Sequence, residues 1–341
     1  FVSGASALVY ETVFARWLGL ALGADAWGIA AVLAGFMAGF GIGSAAAGAL
    51  AARVSRPGVA YGLAEVGIAL CGFLSPLLFP SLASLSPLLH PLTETRPAAY
   101  HALRFALAVA VLLAPATLLG ATFPLMARLR ARPEREGEGV ARLYAWNTLG
   151  AACGAALSAF LLVPNLGLAG STLLAAGMNL LAGAASIALF PGASPPPRAP
   201  REALSPAGLP ADRGARVVLA ASFLSGFSAL AQETLLTRAL VGALGASTYA
   251  FACVLTAFLA GIGIGPHLLP PGEDPHRARL RLAGCQVGAV WGLLLGIFAI
   301  SHLLGIAGFL GAPRNRTPDV GGIDALFAYQ FLVCCAALLP S

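Results

Sequence analysis

Lysine is absent from the 341 residues, and charge of either sign is scarce. The 20 basic residues are all arginine, 14 residues are acidic, and charged side chains make up 10% of the chain. Soluble globular domains carry about 25%, so an ordinary water-facing surface is excluded. Six cysteines (Cys71, Cys153, Cys253, Cys285, Cys334 and Cys335) fall in apolar stretches without C-x-x-C or Cys/His spacing. The usual zinc and redox signatures are therefore missing, and small buried apolar side chains are expected there. His90, His101, His267, His276 and His302 form no H-x-x-x-H pair, and no nucleophile–base constellation occurs. The sequence thus offers no metal site, no cofactor and no catalytic residue. Its formal charge of +6 sits in short arginine-bearing turns, not in a basic stripe interleaved with aromatics, so nucleic acid is excluded as a partner.

What the chain has is apolar length. Hydrophobic residues make up 58% and the mean hydropathy is +0.84. Runs such as Val32 to Leu50 and Leu103 to Leu125 match the roughly 20 residues a helix needs to cross a bilayer core of about 30 Å. The fold class that follows is an all-α multi-pass membrane protein with the lipid bilayer as its main partner. Hydropathy places ten spans, at 1–23, 27–51, 59–80, 102–127, 140–163, 169–190, 217–244, 247–269, 283–310 and 325–340. The segment 191–216 is rich in proline, cannot continue a helix and reads as a linker. Three regions result: a first helical half at 1–190, the linker at 191–216 and a second half at 217–341.

Arginine sets the orientation. Fourteen arginines lie after the second, fourth, sixth and eighth spans, against four on the other side (Arg96, Arg104, Arg314 and Arg316). The positive-inside bias makes the loops after even-numbered helices, and the linker, cytoplasmic in a cell inner membrane.

Residues 1–43 match residues 223–265 without a gap, and 23 of the 43 positions are identical. An even number of spans separates the copies, so both cross the membrane in the same sense, as in the two halves of a major facilitator transporter. Each half is then expected to be a six-helix pseudo-repeat. The second copy's helix starts ahead of Phe223, and FLVCCAALLPS resembles FALAVAVLLAPA at 105–116 but stops short. The chain is therefore expected to be truncated at both ends.

Ionisable groups within membrane helices are functional candidates because each costs several kcal/mol unless paired. They are Glu11 and Arg16 in the first span, Glu233 and Arg238 in the seventh, and Glu65 in the third. The repeat superposes Glu11 on Glu233 and Arg16 on Arg238. Five residues of helix rotate a side chain by about 140°, so each acid and base point to different faces and partners on other helices are expected. Two readings stand: a symmetric structural lock, or carboxylates that bind a cation or a proton near the midplane. Tyr10, Trp17, Trp27 and Tyr249 are candidates for cation–π contact with a polyamine-like ligand. Asn147 and Asn179 are expected to bridge helices through their amides, with Asn147 also a candidate ligand contact. Gly35, Gly39 and Gly43 line one face of the second span, and Gly261 and Gly265 line one face of the eighth. Such small-residue faces let helices approach closely. The strings GFGIG and GIGIG lie inside apolar helices, away from any strand, and are not nucleotide loops. Thr122 and Pro124 are expected to distort the fourth helix.

The motifs SGASALVYETVFARWL, VLAGFMAGFGIGSAAAGALAARVSRP, YGLAEVGIALCGFLSPLL, LLGATFPL and LYAWNTLGAACGA resemble the membrane portion of fused major-facilitator/spermidine-synthase-like proteins. FLSGFSALAQETLLTRAL and VLTAFLAGIGIG in the second half fit the same pattern. GALAARVSRP looks like a weakened facilitator loop that lacks its usual acidic residue. The resemblance implies a transporter-like membrane part followed by an aminopropyltransferase domain of the same chain, which no segment here matches. It implies two functions: binding or transport of a small cationic metabolite of polyamine type, or membrane anchoring of an aminopropyltransferase whose catalytic domain lies beyond Ser341.

Overall fold

The computed structural model describes residues 1–22, 26–51, 53–84, 87, 91–130, 136–192, 213–244, 248–268 and 275–309. All secondary structure among them is helical. The helices are α1 (Val2–Leu22), α2 (Ala26–Ala51), α3 (Pro57–Ala83), α4 (Pro91–Thr95), α5 (Pro97–Arg130), α6 (Glu136–Leu157), α7 (Val163–Leu189), α8 (Arg213–Leu244), α9 (Thr248–Leu268) and α10 (Pro275–Phe309). Proline opens α3, α4, α5 and α10, where its fixed φ suits the first helical turn and its missing N–H costs nothing. The tenth expected span, 325–340, lies outside the described residues, as does most of the linker.

Polarity is inverted relative to a soluble protein. Outward positions carry large apolar side chains, among them Leu77, Leu181, Leu189, Phe223 and Leu235, whereas the interior is filled mainly by alanine with serine and threonine. Their hydroxyls bond carbonyls of the preceding turn, as Thr12 does to Leu8 and Ser75 to Gly72, each at 2.8 Å. Lipid cannot satisfy such groups, so the helices satisfy them internally. Five stretches are long and apolar enough to cross a membrane: Ala30–Leu50, Pro57–Leu82, Pro97–Leu129, Gly139–Leu189 and Leu280–Phe298. This is a helical membrane protein.

Several expectations need correction. The fifth and sixth spans divide where expected, between 163 and 169, but at a single glycine and not across a longer turn. Helix continues from α6 through a π-turn at Ser158–Leu162 into α7, and the break comes at Gly167, with φ 68° and ψ −179°. That backbone region is open essentially only to glycine. The 51-residue apolar stretch Gly139–Leu189 is therefore two helical segments that meet at Gly167. The fourth span is longer than expected, and helix α5 includes both Pro115 and Pro124. Many of the arginines assigned to loops, including Arg128, Arg130, Arg142 and Arg216, lie in helical turns. Two of the cysteines expected to be buried, Cys153 and Cys285, are exposed, while Cys253 is buried and Cys71 half-buried; a small apolar thiol is as well suited to an outward lipid-facing position as to the interior. Cys334 and Cys335 lie outside the described residues.

The chain divides into two compact units, Phe1–Ala207 and Gly208–Ser341, with the boundary inside the proline-rich segment. In the first unit the main packing pairs are α2 with α5, α3 with α7, α1 with α6, α3 with α5 and α1 with α7. Exchanging α1, α2 and α3 for α5, α6 and α7 maps this set of pairs onto itself, so two helix triplets interlock in equivalent ways. In the second unit α8 packs on α9 and on α10, as α1 packs on α2 and α3.

Candidate functional site

Glu65 sits on α3 at the seam with α7 and is fully buried. The seam exists because glycines thin both helices. A Cβ on Gly62 would stand 2.7 Å from the Gly183 carbonyl oxygen, and a Cβ on Gly183 would stand 3.2 Å from the Glu65 Cβ. The Ser186 hydroxyl donates to the Gly58 carbonyl at 2.8 Å one turn further along. At that separation the Asn179 amide Nδ2 donates to Glu65 Oε2 in a short hydrogen bond. Tyr61, on the turn before Glu65, is buried beside it on α3. Asn179 thus bridges two helices through its amide.

The second acid, Glu11, is buried on α1 and 5% exposed. Its neighbour Tyr10 is buried as well, with its hydroxyl pressed against Gly72 of α3. Tyr10 belongs to an aromatic column: its ring lies 5.3 Å from Phe14, Phe14 lies 4.8 Å from Phe79, and Trp17 lies 5.5 Å from Phe79. Trp17 therefore packs against other rings. Trp27 and Tyr249 have no described side-chain surroundings. Asn147 of α6 is half-buried at the crossing with α1, where its Oδ1 lies 3.1 Å from the place a Cβ on Gly4 would take.

In the second unit Glu233 is likewise 5% exposed, matching Glu11 at the duplicated position. Arg16 and Arg238 also share one environment, since both are exposed. Within each copy the acid turns inward and the base outward, as a rotation of about 140° demands.

The glycine faces behave differently in the two units. In the first, Gly35, Gly39 and Gly43 all meet α5, at Val109 and Leu112, at Ala116 and at Thr117 respectively. Gly41 and Gly48, off that face, have open space. In the second, Gly265 has nothing within 4 Å among the described residues and Gly261 is half-buried.

Arg104 was counted from the sequence only as a charge that sets orientation. It is 5% exposed inside α5, its guanidinium 5.0 Å from the Tyr100 ring centre one turn away. The i, i+4 spacing of Tyr100 and Arg104 was the available signal. Among the described residues no group of His, Cys, Asp or Glu is placed to hold a metal ion. Comparison with protein families, curated proteins and solved structures finds no match.

Proposed function

We propose that this chain is the multi-pass membrane domain of a protein of the fused facilitator/spermidine-synthase-like kind, and that it binds or transports a small cationic metabolite of polyamine type. The observation that carries the reading is a contrast of charge. The whole chain is formally +6, yet the buried charged side chains among the described residues are Glu11, Glu65, Glu233 and Arg104. An acid-rich interior in a basic protein favours a cation inside. Duplicated carboxylates at 11 and 233 give each unit one such group, and interlocking helix triplets in the first unit suit a transporter's repeat architecture. The arginine distribution supports a cell inner membrane location with the linker cytoplasmic.

Equilibrium binding of labelled spermidine to the purified full-length protein tests the proposal. Saturable binding is expected, weakened about tenfold or more by Glu11→Gln or Glu233→Gln, since a lost charged hydrogen bond is worth about 1.5–3 kcal/mol. Absence of saturable binding to the wild-type protein overturns it.

A second reading rests on the motif resemblance: the region anchors an aminopropyltransferase domain of the same chain. Reading the gene past the codon for Ser341 separates the two, because an aminopropyltransferase domain there supports anchoring and a further helical segment alone supports a carrier.

A further inference from the structure

The hydrogen-bond arithmetic at the α3–α7 seam leaves the pair of Glu65 and Asn179 one hydrogen short. The amide donates to Glu65 Oε2, but Glu65 Oε1 and Asn179 Oδ1 are both buried without a partner. Both oxygens are acceptors when Glu65 is ionised, so neither can satisfy the other. Each belongs to a planar group already joined to its neighbour through the other terminal atom. A single hydrogen on Oε1 turns the carboxylate into a donor and allows the second arm of an acid–amide pair to close. Turning the amide over exchanges its two atoms and still leaves the pair one hydrogen short.

The geometry points to the Glu65–Asn179 pair as a proton-binding site, which takes one proton from water onto the Glu65 carboxyl and donates it to the Asn179 oxygen. The groups around it agree. On α3, Tyr61 lies one turn before Glu65 and Cys71 lies further along; from α1, Tyr10 stands against Gly72 of α3, with Glu11 beside it on the same helix. The segment Val163–Leu189 that forms α7 contains no ionisable residue. From α5, Leu118 faces α3 at Gly67, and Arg104 and Arg128 lie toward the two ends of that helix. Glu65 Oε1 has no hydrogen-bond partner among the described residues. A full charge there would rest on one amide in a buried helix seam, and such burial costs several kcal/mol. One proton removes the charge and supplies the missing donor together.

What the proton is for rests on the transport reading: a site that is neutral when protonated and charged when empty can couple cation movement to a pH gradient. The test uses the full-length protein in lipid nanodiscs and its infrared spectrum, without substrate. The expected result is a protonated-carboxyl C=O stretch that moves on deuteration, disappears in Glu65→Gln and changes frequency in Asn179→Leu. A spectrum whose carboxyl band is unchanged by Glu65→Gln, or unchanged by Asn179→Leu should the first variant fail to fold, overturns the site. Spermidine flux in vesicles is the second arm. Acceleration by a pH gradient that is lost in Glu65→Gln supports coupling. The band without any spermidine flux keeps the proton site and removes the transport reading. Flux without the band, or flux indifferent to the gradient, removes the coupling role.

Discussion

Three carboxyls are buried among the described residues, those of Glu11, Glu65 and Glu233, and Glu65 accepts from the Asn179 amide. Glu65 depends on Asn179, so Asn179→Leu removes its amide donor and is expected to destabilise the protein by about 1–3 kcal/mol, read as a lower thermal midpoint in detergent. Arg16→Gln and Arg238→Gln alter exposed side chains and are expected to stay within about 0.5 kcal/mol of wild type in the same assay. A large loss from either arginine would instead favour the lock between acid and base. The acids were legible from the sequence because charge is so rare in it that each one stands out. Asn179 was legible as a bridge but not its partner, since the distance from residue 65 in the chain says nothing of which helices meet. Arg104 was misplaced because a hydropathy window tolerates one cation near a span's end, and its burial follows from how α5 turns Tyr100 and Arg104 inward.

Helices in this protein approach one another through glycine, and the consequences are position-specific. Gly43→Ala places a methyl group against the Thr117 carbonyl of α5, while Gly41→Ala on the same helix enters open space. The first is expected to cost about 1–3 kcal/mol by overpacking, and the second to be neutral or to stabilise by about 0.5–1 kcal/mol; thermal unfolding of the two variants side by side checks this. Gly183→Ala meets Val66 and Glu65 at 3.1 and 3.2 Å and the Gly62 carbonyl at 2.7 Å, so it separates α3 from α7 and breaks the bond from Asn179 to Glu65. Gly177→Ala, with nothing nearby, is its control. Gly167→Ala is expected to cost about 1–3 kcal/mol for a different reason, the backbone angle at the α7 break. The face of Gly35, Gly39 and Gly43 could be read ahead of the structure because its period repeats every fourth residue. Gly62 and Gly183 could not, since each matters only through the helix opposite. The break between α6 and α7 was legible from hydropathy, since Gly167 lies between the expected spans 140–163 and 169–190; its form, one glycine with Pro164 at the start of α7, was not.

At the scale of the molecule, the apolar spans and the duplication were the most legible features, because lipid imposes a minimum length on every crossing and the two copies are ungapped. The composition of the interior was less so: only packing reveals which leucines and phenylalanines face out, such as Leu77 and Phe223, and which are buried among alanines, such as Leu112 and Phe36. Orientation has its own test. A reporter fused within 191–216 is expected to be active on the cytoplasmic side, and one inserted after Arg96 on the opposite side; the reverse pattern contradicts the arginine bias. The central claim is that duplicated inward carboxyls serve a cation that crosses the membrane. Spermidine flux through the full-length protein in liposomes measures it most directly. Saturable flux that falls about tenfold or more in Glu11→Gln and in Glu233→Gln is the predicted result, whereas flux equal to that of empty liposomes, or flux unchanged by both substitutions, contradicts it.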